Sequence, residues 1–213
     1  MKKNEKFVIT INREVGSGGR SVGEKLAARL GVPFYDKALI TALREKYHLT
    51  TDEIEKMKGR SHSWWADFKR SLAIGEIFSR AQNFDTDLNK LPDVLSTSDM
   101  FRSEVEILEG IAAEESCVIA GRSAFYVFKD TPNHLNILIQ ASKDYRINRI
   151  MAKQQMSHDE ALQKMEEIDQ MRENYVKKYM GTTRYDARNY DLVFSMDGLT
   201  EDDVVDLILM YVK

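Results

Sequence analysis

A glycine-rich octapeptide near the amino terminus has the residue types and the order of a phosphate-binding loop. The segment reads EVGSGGRS, from Glu14 to Ser21, and follows an apolar run. Its glycines, at positions 16, 18 and 19, permit positive φ angles that turn backbone N–H groups inward to form a nest for an anion. A helical pattern that begins near Ser21 adds the positive end of a helix dipole. The octapeptide therefore predicts a phosphate site.

The octapeptide departs from the standard P-loop at two positions. In the pattern G-x-x-x-x-G-K-[ST], Glu14 takes the place of the first glycine and Arg20 that of the lysine. Arg20 still supplies a fixed positive charge, and its planar fork binds two phosphate oxygens at once. A tight strand-to-helix turn without a ligand is the alternative. The position after the first strand, with charge and hydroxyl in matching slots, favours phosphate binding.

Composition limits the classes of partner. The 213 residues carry a net charge of −3, with 43% hydrophobic and 31% charged residues, so we expect a globular protein. Binding to nucleic acid polymers or membrane surfaces needs clustered positive charge, which this balance does not favour. The single cysteine, Cys117, forms no internal disulfide, and the 4 histidines have no metal-ligand spacing. With no signal peptide or membrane span at the amino terminus, we expect a cytoplasmic protein.

Four short apolar, β-branched runs and a weaker fifth at 32–36, separated by helical patterns, predict an α/β fold with a doubly wound, parallel five-stranded sheet. Each of the four stronger runs is expected to be buried on both faces. Helix starts are indicated by Ser103 with Glu106, by Ser157 with Glu160, and by Thr200. The predicted strands are 7–12, 32–36, 117–121, 135–140 and 191–196.

The segment 49–99 interrupts the alternation of strands and helices. Its patterns are mostly helical, which predicts a helical insertion in a single domain that spans 1–213 rather than a second domain. Residues at the carboxyl ends of the predicted strands are expected to face the ligand, as in other open α/β sheets.

The stretch ITINREVGSGGRSVGEKLAARLGVPFYDKALI, with CVIAGRSAFYVF, LNILIQASKDYRINRIM and YDLVFSMDGLTEDDVVDLI in order, resembles the cytidylate kinase-like family. In that family the loop often reads E-x-G-S-G-G-R, so both departures from the standard P-loop are typical of it. The resemblance implies a P-loop kinase fold and transfer of the γ-phosphoryl group of ATP, with Mg²⁺, to CMP or dCMP. It also implies an acceptor-side insertion at 49–99 and a helical lid at about 150–188.

The resemblance assigns residues to the donor and acceptor sides. Arg122 follows the strand 117–121 and corresponds to an acceptor-binding arginine, a solvated loop cation being the alternative. Asp36 ends the second strand and resembles an aspartate that positions the acceptor. Arg102 matches an acceptor-phosphate arginine, an exposed helix residue being the alternative. The predicted ATP-binding residues are Gly16, Ser17, Gly18, Gly19, Arg20 and Ser21, with Ser21 as the Mg²⁺ ligand.

A lid pair is predicted on the long helix that begins near residue 158. Asp169 and Arg172 are three residues apart and share a helix face. The resemblance maps them onto a lid aspartate and an arginine that closes over the transferring phosphate, whereas an ordinary surface ion pair is the alternative. Met165 stands where the family has another lid arginine. Arg146 and Arg149 on the preceding helix either compensate for it or form a solvated face.

The expected catalytic residues are thus Arg20, Arg122, Asp169 and Arg172. Two other functions stay open. Ser123 stands in place of the family's aspartate after Arg122, and Lys37 and Ala38 replace a small hydroxyl residue and a glycine, which favours a kinase for another small acceptor. A nucleotide-binding regulatory protein without turnover is the other alternative. The expected partners are small-molecule nucleotides, and the sequence does not indicate an oligomeric state.

Overall fold

The computed structural model describes residues 1–2, 4–36, 40, 50, 98–121 and 123–212. Two compact units divide the chain: Met1–Phe34 with Ser116–Lys213, and Tyr35–Glu115. The predicted helices of the insertion lie outside the described residues up to position 97. Among the described residues, no helix combines the length and apolar character needed to cross a membrane.

Five parallel strands form one sheet in the order β2-β3-β1-β4-β5, as predicted. The central strand β1 aligns Ile11 with Ala120 of β3 and Arg13 with Ile139 of β4. Because these strands are parallel, the loops that follow β1, β3 and β4 lie at the same edge of the sheet. The strands are β1 Val8–Arg13, β2 Phe34–Asp36, β3 Cys117–Ala120, β4 His134–Gln140 and β5 Leu192–Ser195.

Helices follow most strands. They are α1 Gly19–Leu30, α2 Ser98–Glu114, α3 Ala124–Val127, α4 Lys143–Gln154, α5 His158–Met180 and α6 Glu201–Tyr211, with a 3₁₀ turn at Ala187–Asn189. The predicted caps at Ser157 and Thr200 are confirmed as reciprocal capping boxes. The cap predicted at Ser103 is wrong, because α2 already begins at Ser98 and Ser103 is buried within the helix.

The sheet and two helices enclose the main core of the first unit. Ile9 and Ile11 of β1 pack with Leu26 of α1 and Val204 of α6 in one cluster of buried side chains. Cys117 is buried and forms no disulfide with any described residue. At the surface, Lys25 of α1 lies 2.7 Å from Asp202 of α6, and Arg29 lies 3.0 Å from Asp206. The packing therefore fixes the direction of α1, whose first turn follows the glycine loop.

The prediction of burial on both faces, made for the four stronger runs, is wrong for β5. Leu192 and Phe194 are half-buried, whereas Val193 is 43% exposed and Ser195 is exposed. The reason is position, since β5 lies at the edge of the sheet and, among the described strands, pairs with β4 alone. An edge strand commonly leaves part of its surface to solvent.

Candidate active site

The glycine loop occupies the turn between the central strand and α1. Gly16 and Gly18 have φ angles of 81° and 87°, which side chains rarely tolerate. A Cβ atom at Gly16 would lie 2.6 Å from the carbonyl oxygen of Arg146. Gly18 precedes α1 and supplies no side-chain cap, so a bound phosphate would take the capping role at this helix start.

Ser17 fastens the loop to the sheet. Its side chain is fully buried, and its hydroxyl group lies 2.9 Å from the carbonyl oxygen of Glu14 and 3.2 Å from that of Ile139 in β4. The hydroxyl therefore points into the protein. Any contact of Ser17 with ATP would come from its backbone.

Glu14, which replaces the first glycine of the standard motif, anchors the loop on its inner side. One carboxylate oxygen accepts a hydrogen bond from the backbone N–H of Ala141 at 3.2 Å, just after β4. The other lies 3.0 Å from Nη1 of Arg146. The side chain thus binds α4 and the β4–α4 junction, which gives this departure from the standard P-loop a structural role.

Arg146 connects the glycine loop to α5 through its guanidinium group. Its Nε donates to the carbonyl oxygen of Val15 at 2.8 Å, Nη1 pairs with Glu14 at 3.0 Å, and Nη2 pairs with Asp169. All three nitrogens have partners, and the residue is buried. The interpretation of Arg146 as part of a solvated face is therefore wrong.

Asp169 contacts the backbone of the glycine loop and is 8% exposed. The interpretation of Asp169 as part of a surface ion pair is therefore wrong. Its carboxylate accepts a hydrogen bond from the N–H of Val15 at 3.2 Å and pairs with Arg146. Oδ1 lies 3.9 Å from Nη1 of Arg172, so the predicted pair is present. Arg172 in turn donates to the carbonyl oxygen of Arg13 at 3.3 Å. Both predicted lid residues thus contact the loop or its approach.

Arg184, which the sequence did not single out, completes this cluster. It is 1% exposed, its Nη1 lies 3.4 Å from Asp169, and its Nη2 donates to the carbonyl oxygen of Arg13 and lies 3.3 Å from Oδ1 of Asn12. Its Nε is buried without a hydrogen-bond partner among the described residues. The polar segment GTTRYDARNY carries no periodic pattern, and its position after the predicted lid helix is the one signal in the sequence that could have indicated Arg184.

Tyr190 links the backbone of Arg184 to Asn12 of β1. Its hydroxyl group donates to the carbonyl oxygen of Arg184 at 2.6 Å and accepts a hydrogen bond from the amide of Asn12. Burial raises the pKa of Tyr190 to about 12, so the phenol stays neutral and can donate. We refer to Glu14, Arg146, Asp169 and Arg184 as the anchor cluster.

Two more cations lie at the start of α1. Arg20 pairs with Glu24 at 2.9 Å along the helix, and its side chain is 24% exposed. Arg149 lies 3.4 Å from Oγ of Ser21 and pairs with Glu201. Such partly exposed pairs stabilise a protein little. Among the described residues there is no cluster of three or more His, Cys, Asp or Glu able to hold a metal ion.

The structure describes two of the three residues predicted on the acceptor side. Asp36 ends β2 as predicted and is buried, and Arg102 is an exposed residue of α2. Arg122 lies outside the described residues. The flanking Gly121 and Ser123 have φ angles of 81° and 55°, so the backbone turns sharply where β3 ends.

A glycine loop that joins the central parallel strand to a helix, with cations gathered around it, defines a P-loop kinase, and the protein is an ATP-dependent phosphotransferase of this class. More particularly, the profile of the cytidylate kinase-like family matches residues 8–198, and the chain belongs to that family.

Individual relatives agree with this assignment. The chain is 26% identical over 145 residues to a cytidylate kinase of Saccharolobus islandicus (strain L.S.2.15 / Lassen #1), which covers 67% of this chain and 76% of the relative. A cytidylate kinase of Sulfolobus acidocaldarius is 26% identical over 142 residues, covering 65% and 77%.

Solved structures share the fold. An uncharacterized protein from Eubacterium ventriosum ATCC 27560 matches with a TM-score of 0.61 and 25% identity, covering 97% of this chain and 98% of that one. Shikimate kinase from Bacteroides thetaiotaomicron matches with a TM-score of 0.51 and 16% identity, covering 96% and 97%. The second likeness concerns the fold alone.

Proposed function

We propose that the protein is a nucleoside monophosphate kinase that transfers the γ-phosphoryl group of ATP to CMP or dCMP. The observation that carries this proposal is the glycine loop at the central strand, which Asp169 and Arg172 of the lid helix contact directly or through the preceding residue. Phosphoryl transfer depends mainly on positioning and on neutralising charge, and such a site supplies both. The cytidine preference is supported by the cytidylate kinases among the relatives.

On the donor side, the backbone of Gly16–Ser21 would surround the phosphates of ATP. Arg20 would exchange Glu24 for the β and γ phosphates, because a polyanion offers a cation more charge than one partly exposed carboxylate. Mg²⁺ would be held by the Ser21 hydroxyl and phosphate oxygens and would neutralise developing charge, in keeping with its preference for oxygen ligands. We further propose that the protein acts in the cytoplasm on small-molecule nucleotides.

Arg172 would serve as the lid cation. Its guanidinium hydrogen bonds to the carbonyl oxygen of Arg13, immediately before the glycine loop, and it remains partly exposed. Asp169 would orient it and hold the loop at the same time, since one carboxylate contacts Val15 and lies near Arg172. Arg122, Asp36 and Arg102 are proposed as acceptor-binding residues on the basis of the family resemblance.

A kinase for another small acceptor is the second candidate, and Ser123 favours it. Its side chain takes the place of an aspartate in the family motif, and the residue is buried. A hydroxyl group offers one neutral oxygen, whereas a carboxylate offers two charged oxygens that can accept a bidentate pair of hydrogen bonds. The pyrimidine and sugar selection that the aspartate would provide is therefore the part of the proposal that the choice of acceptor tests most directly.

A coupled assay of ADP release across CMP, dCMP, UMP, AMP and GMP tests the proposal. We expect CMP or dCMP to give the highest kcat/KM. Equal or higher values with AMP or GMP would refute the cytidylate assignment and leave the kinase class intact. Stabilisation by ATP without ADP release from any acceptor would instead support the regulatory alternative. The Arg20→Met variant controls for a contaminating kinase, since its loss of activity ties turnover to this chain.

A further inference from the structure

Arg13, the last residue of β1, has a side chain that passes between two glycines from different loops. A Cβ atom at Gly19, the first residue of α1, would lie 2.6 Å from Cβ of Arg13. A Cβ atom at Gly121, just after β3, would lie 1.9 Å from its Nη1. The stem of Arg13 therefore rests on the start of α1, and its guanidinium group rests on the backbone of Gly121.

The lack of a side chain at Gly19 is explained by Arg13 rather than by backbone conformation. Gly19 is absent from the glycines with positive φ, so its backbone would accept other residues. What a side chain there would meet is the stem of Arg13 and, at 3.3 Å, Cβ of Ile139. The sequence thus keeps space open for Arg13 at a position where helix geometry alone does not demand glycine.

The guanidinium group of Arg13 lies between the proposed donor and acceptor sides, where a phosphoryl group would be transferred. β1 and β3 are neighbouring parallel strands, with Ile11 opposite Ala120, and their carboxyl ends form the ligand-binding edge of such a sheet. Gly19 belongs to the loop proposed to hold the donor phosphates. Gly121 directly precedes the arginine proposed to bind the acceptor. Arg13 therefore reaches from the donor loop to the turn on the acceptor side.

The backbone of Arg13 is held firmly. Its carbonyl oxygen accepts hydrogen bonds from Arg172, at 3.3 Å, and from Arg184. Its N–H donates to Oδ1 of Asn12 at 2.9 Å. A side chain that starts from so fixed a base presents its charge with little loss of conformational freedom, which is the condition for strong electrostatic stabilisation of a transition state.

We propose that the guanidinium group of Arg13 binds the γ-phosphoryl group during its transfer and is a catalytic residue of the proposed kinase reaction, on which this inference rests. The bond from the γ-phosphorus to the β,γ-bridging oxygen breaks, and its electron pair stays with ADP. An oxygen of the acceptor phosphate supplies the pair for the new bond. Arg13 keeps its proton throughout and donates hydrogen bonds to the equatorial oxygens, where charge is spread.

Arg13→Met and Arg13→Lys test the proposal, with Arg29→Met as the control. Arg29 lies in the last turn of α1, its side chain is 53% exposed, and it pairs with Asp206 at 3.0 Å. We expect Arg13→Met to lower kcat by on the order of 10²-fold, with partial recovery in Arg13→Lys and the parent value in Arg29→Met. The rise in thermal midpoint with ADP should persist in Arg13→Met, whereas the additional rise with ATP should shrink, because only ATP carries the γ-phosphate.

A second pair of variants separates contact with the phosphoryl group from simple support of the turn. Gly121→Ala places a Cβ atom against Nη1 of Arg13, whereas Gly198→Ala has the same kind of positive φ, at 78°, with no atom within 4 Å. We expect Gly121→Ala to lower kcat more than Gly198→Ala does. This extra loss should largely disappear when Arg13 is already methionine, since the displaced group is then absent.

The outcomes distinguish the two proposals. An active parent with unchanged kcat in Arg13→Met, accompanied by a lower thermal midpoint, would refute the catalytic role of Arg13 and leave a structural support. A Gly121→Ala loss that is as large in the Arg13→Met background would refute it as well. Absence of turnover by the parent with every acceptor would refute the proposed function, and the Arg13 role with it.

Discussion

Replacing Asp169 with alanine should reveal how strongly the anchor cluster holds the protein together. The change leaves Arg146 and Arg184 without their shared carboxylate, and the side chains of these arginines are 10% and 2% exposed. Removing one partner of a buried ion pair costs about 3–5 kcal/mol, because the remaining charge stays desolvated. Against a total stability of about 5–15 kcal/mol this is a large fraction. We expect the free energy of unfolding to fall by about that amount in Asp169→Ala.

Asp169→Asn gives a graded comparison. Asparagine keeps an oxygen for the N–H of Val15 but loses the charge that faces the arginines. We expect a smaller loss, at the lower end of the same range of about 3–5 kcal/mol. Glu166→Gln is the matched control on the same helix, because Glu166 pairs with Lys143 at 2.9 Å while both side chains are more than half exposed. Its effect should stay within roughly 1 kcal/mol.

Urea unfolding followed by circular dichroism measures these differences directly. Combining Asp169→Asn with Arg184→Met should destabilise less than the sum of the single changes, since the second change removes a charge that the first left unpaired. A parent-like unfolding curve for Asp169→Ala would contradict the buried cluster and return Asp169 to the status of an exposed lid residue. Additive effects would contradict the direct pairing with Arg184.

Three further predictions concern binding, catalysis and pH. ATP with Mg²⁺ should stabilise the fold by about 2.7 kcal/mol at 100 times its Kd, which a higher thermal midpoint would reveal. Thermal midpoints that do not change with ATP, ADP or GTP would refute the assignment of the glycine loop as a phosphate site. Arg20→Met should lower kcat by on the order of 10²-fold with a much smaller change in ATP affinity, and Arg20→Lys should recover part of the lost kcat. Turnover near the parent value in Arg20→Met would indicate that the loop is only a structural turn. Burial lowers the pKa of His134 to about 4 from its ordinary 6.5, so the unfolded chain binds the extra proton first and stability is lost as pH falls from 6.5 towards 4. Urea unfolding should therefore show a loss of about 2 kcal/mol between pH 7 and pH 5 that His134→Gln removes, and an equal loss in that variant would assign the effect to other groups.

Much of the fold follows from local sequence. Short β-branched apolar runs identify the buried strands, and reciprocal side-chain caps mark the starts of α5 and α6. The exposure of Val193 was not predicted, because the letters LVFS do not say how many neighbours a strand has. Ser103 was mistaken for a cap because the pattern also occurs by chance inside a helix.

In the candidate site, too, the features made by residues close in sequence could be predicted, whereas those made by distant residues could not. The glycine loop is contiguous, and its residue types alone predict a phosphate nest. The anchor cluster joins Arg146 to Val15 across 131 positions and to Asp169 across 23. No spacing rule links residues so far apart, and the pairing becomes visible only when β1 and α4 are brought together at one edge of the sheet. Arg184 belongs to the same class, since its partners lie on β1 and α5.

The separation of these partners has a consequence for synthesis on the ribosome. The glycine loop is made before the groups that shape it, which follow with Arg146, Asp169 and finally Arg184. Contacts between such distant positions form late, because the intervening chain must first be closed into a loop. A nascent chain that stops before Thr183 carries every residue of the loop but lacks its last anchor. We therefore expect nucleotide affinity to appear abruptly once the lengthening chain includes Arg184.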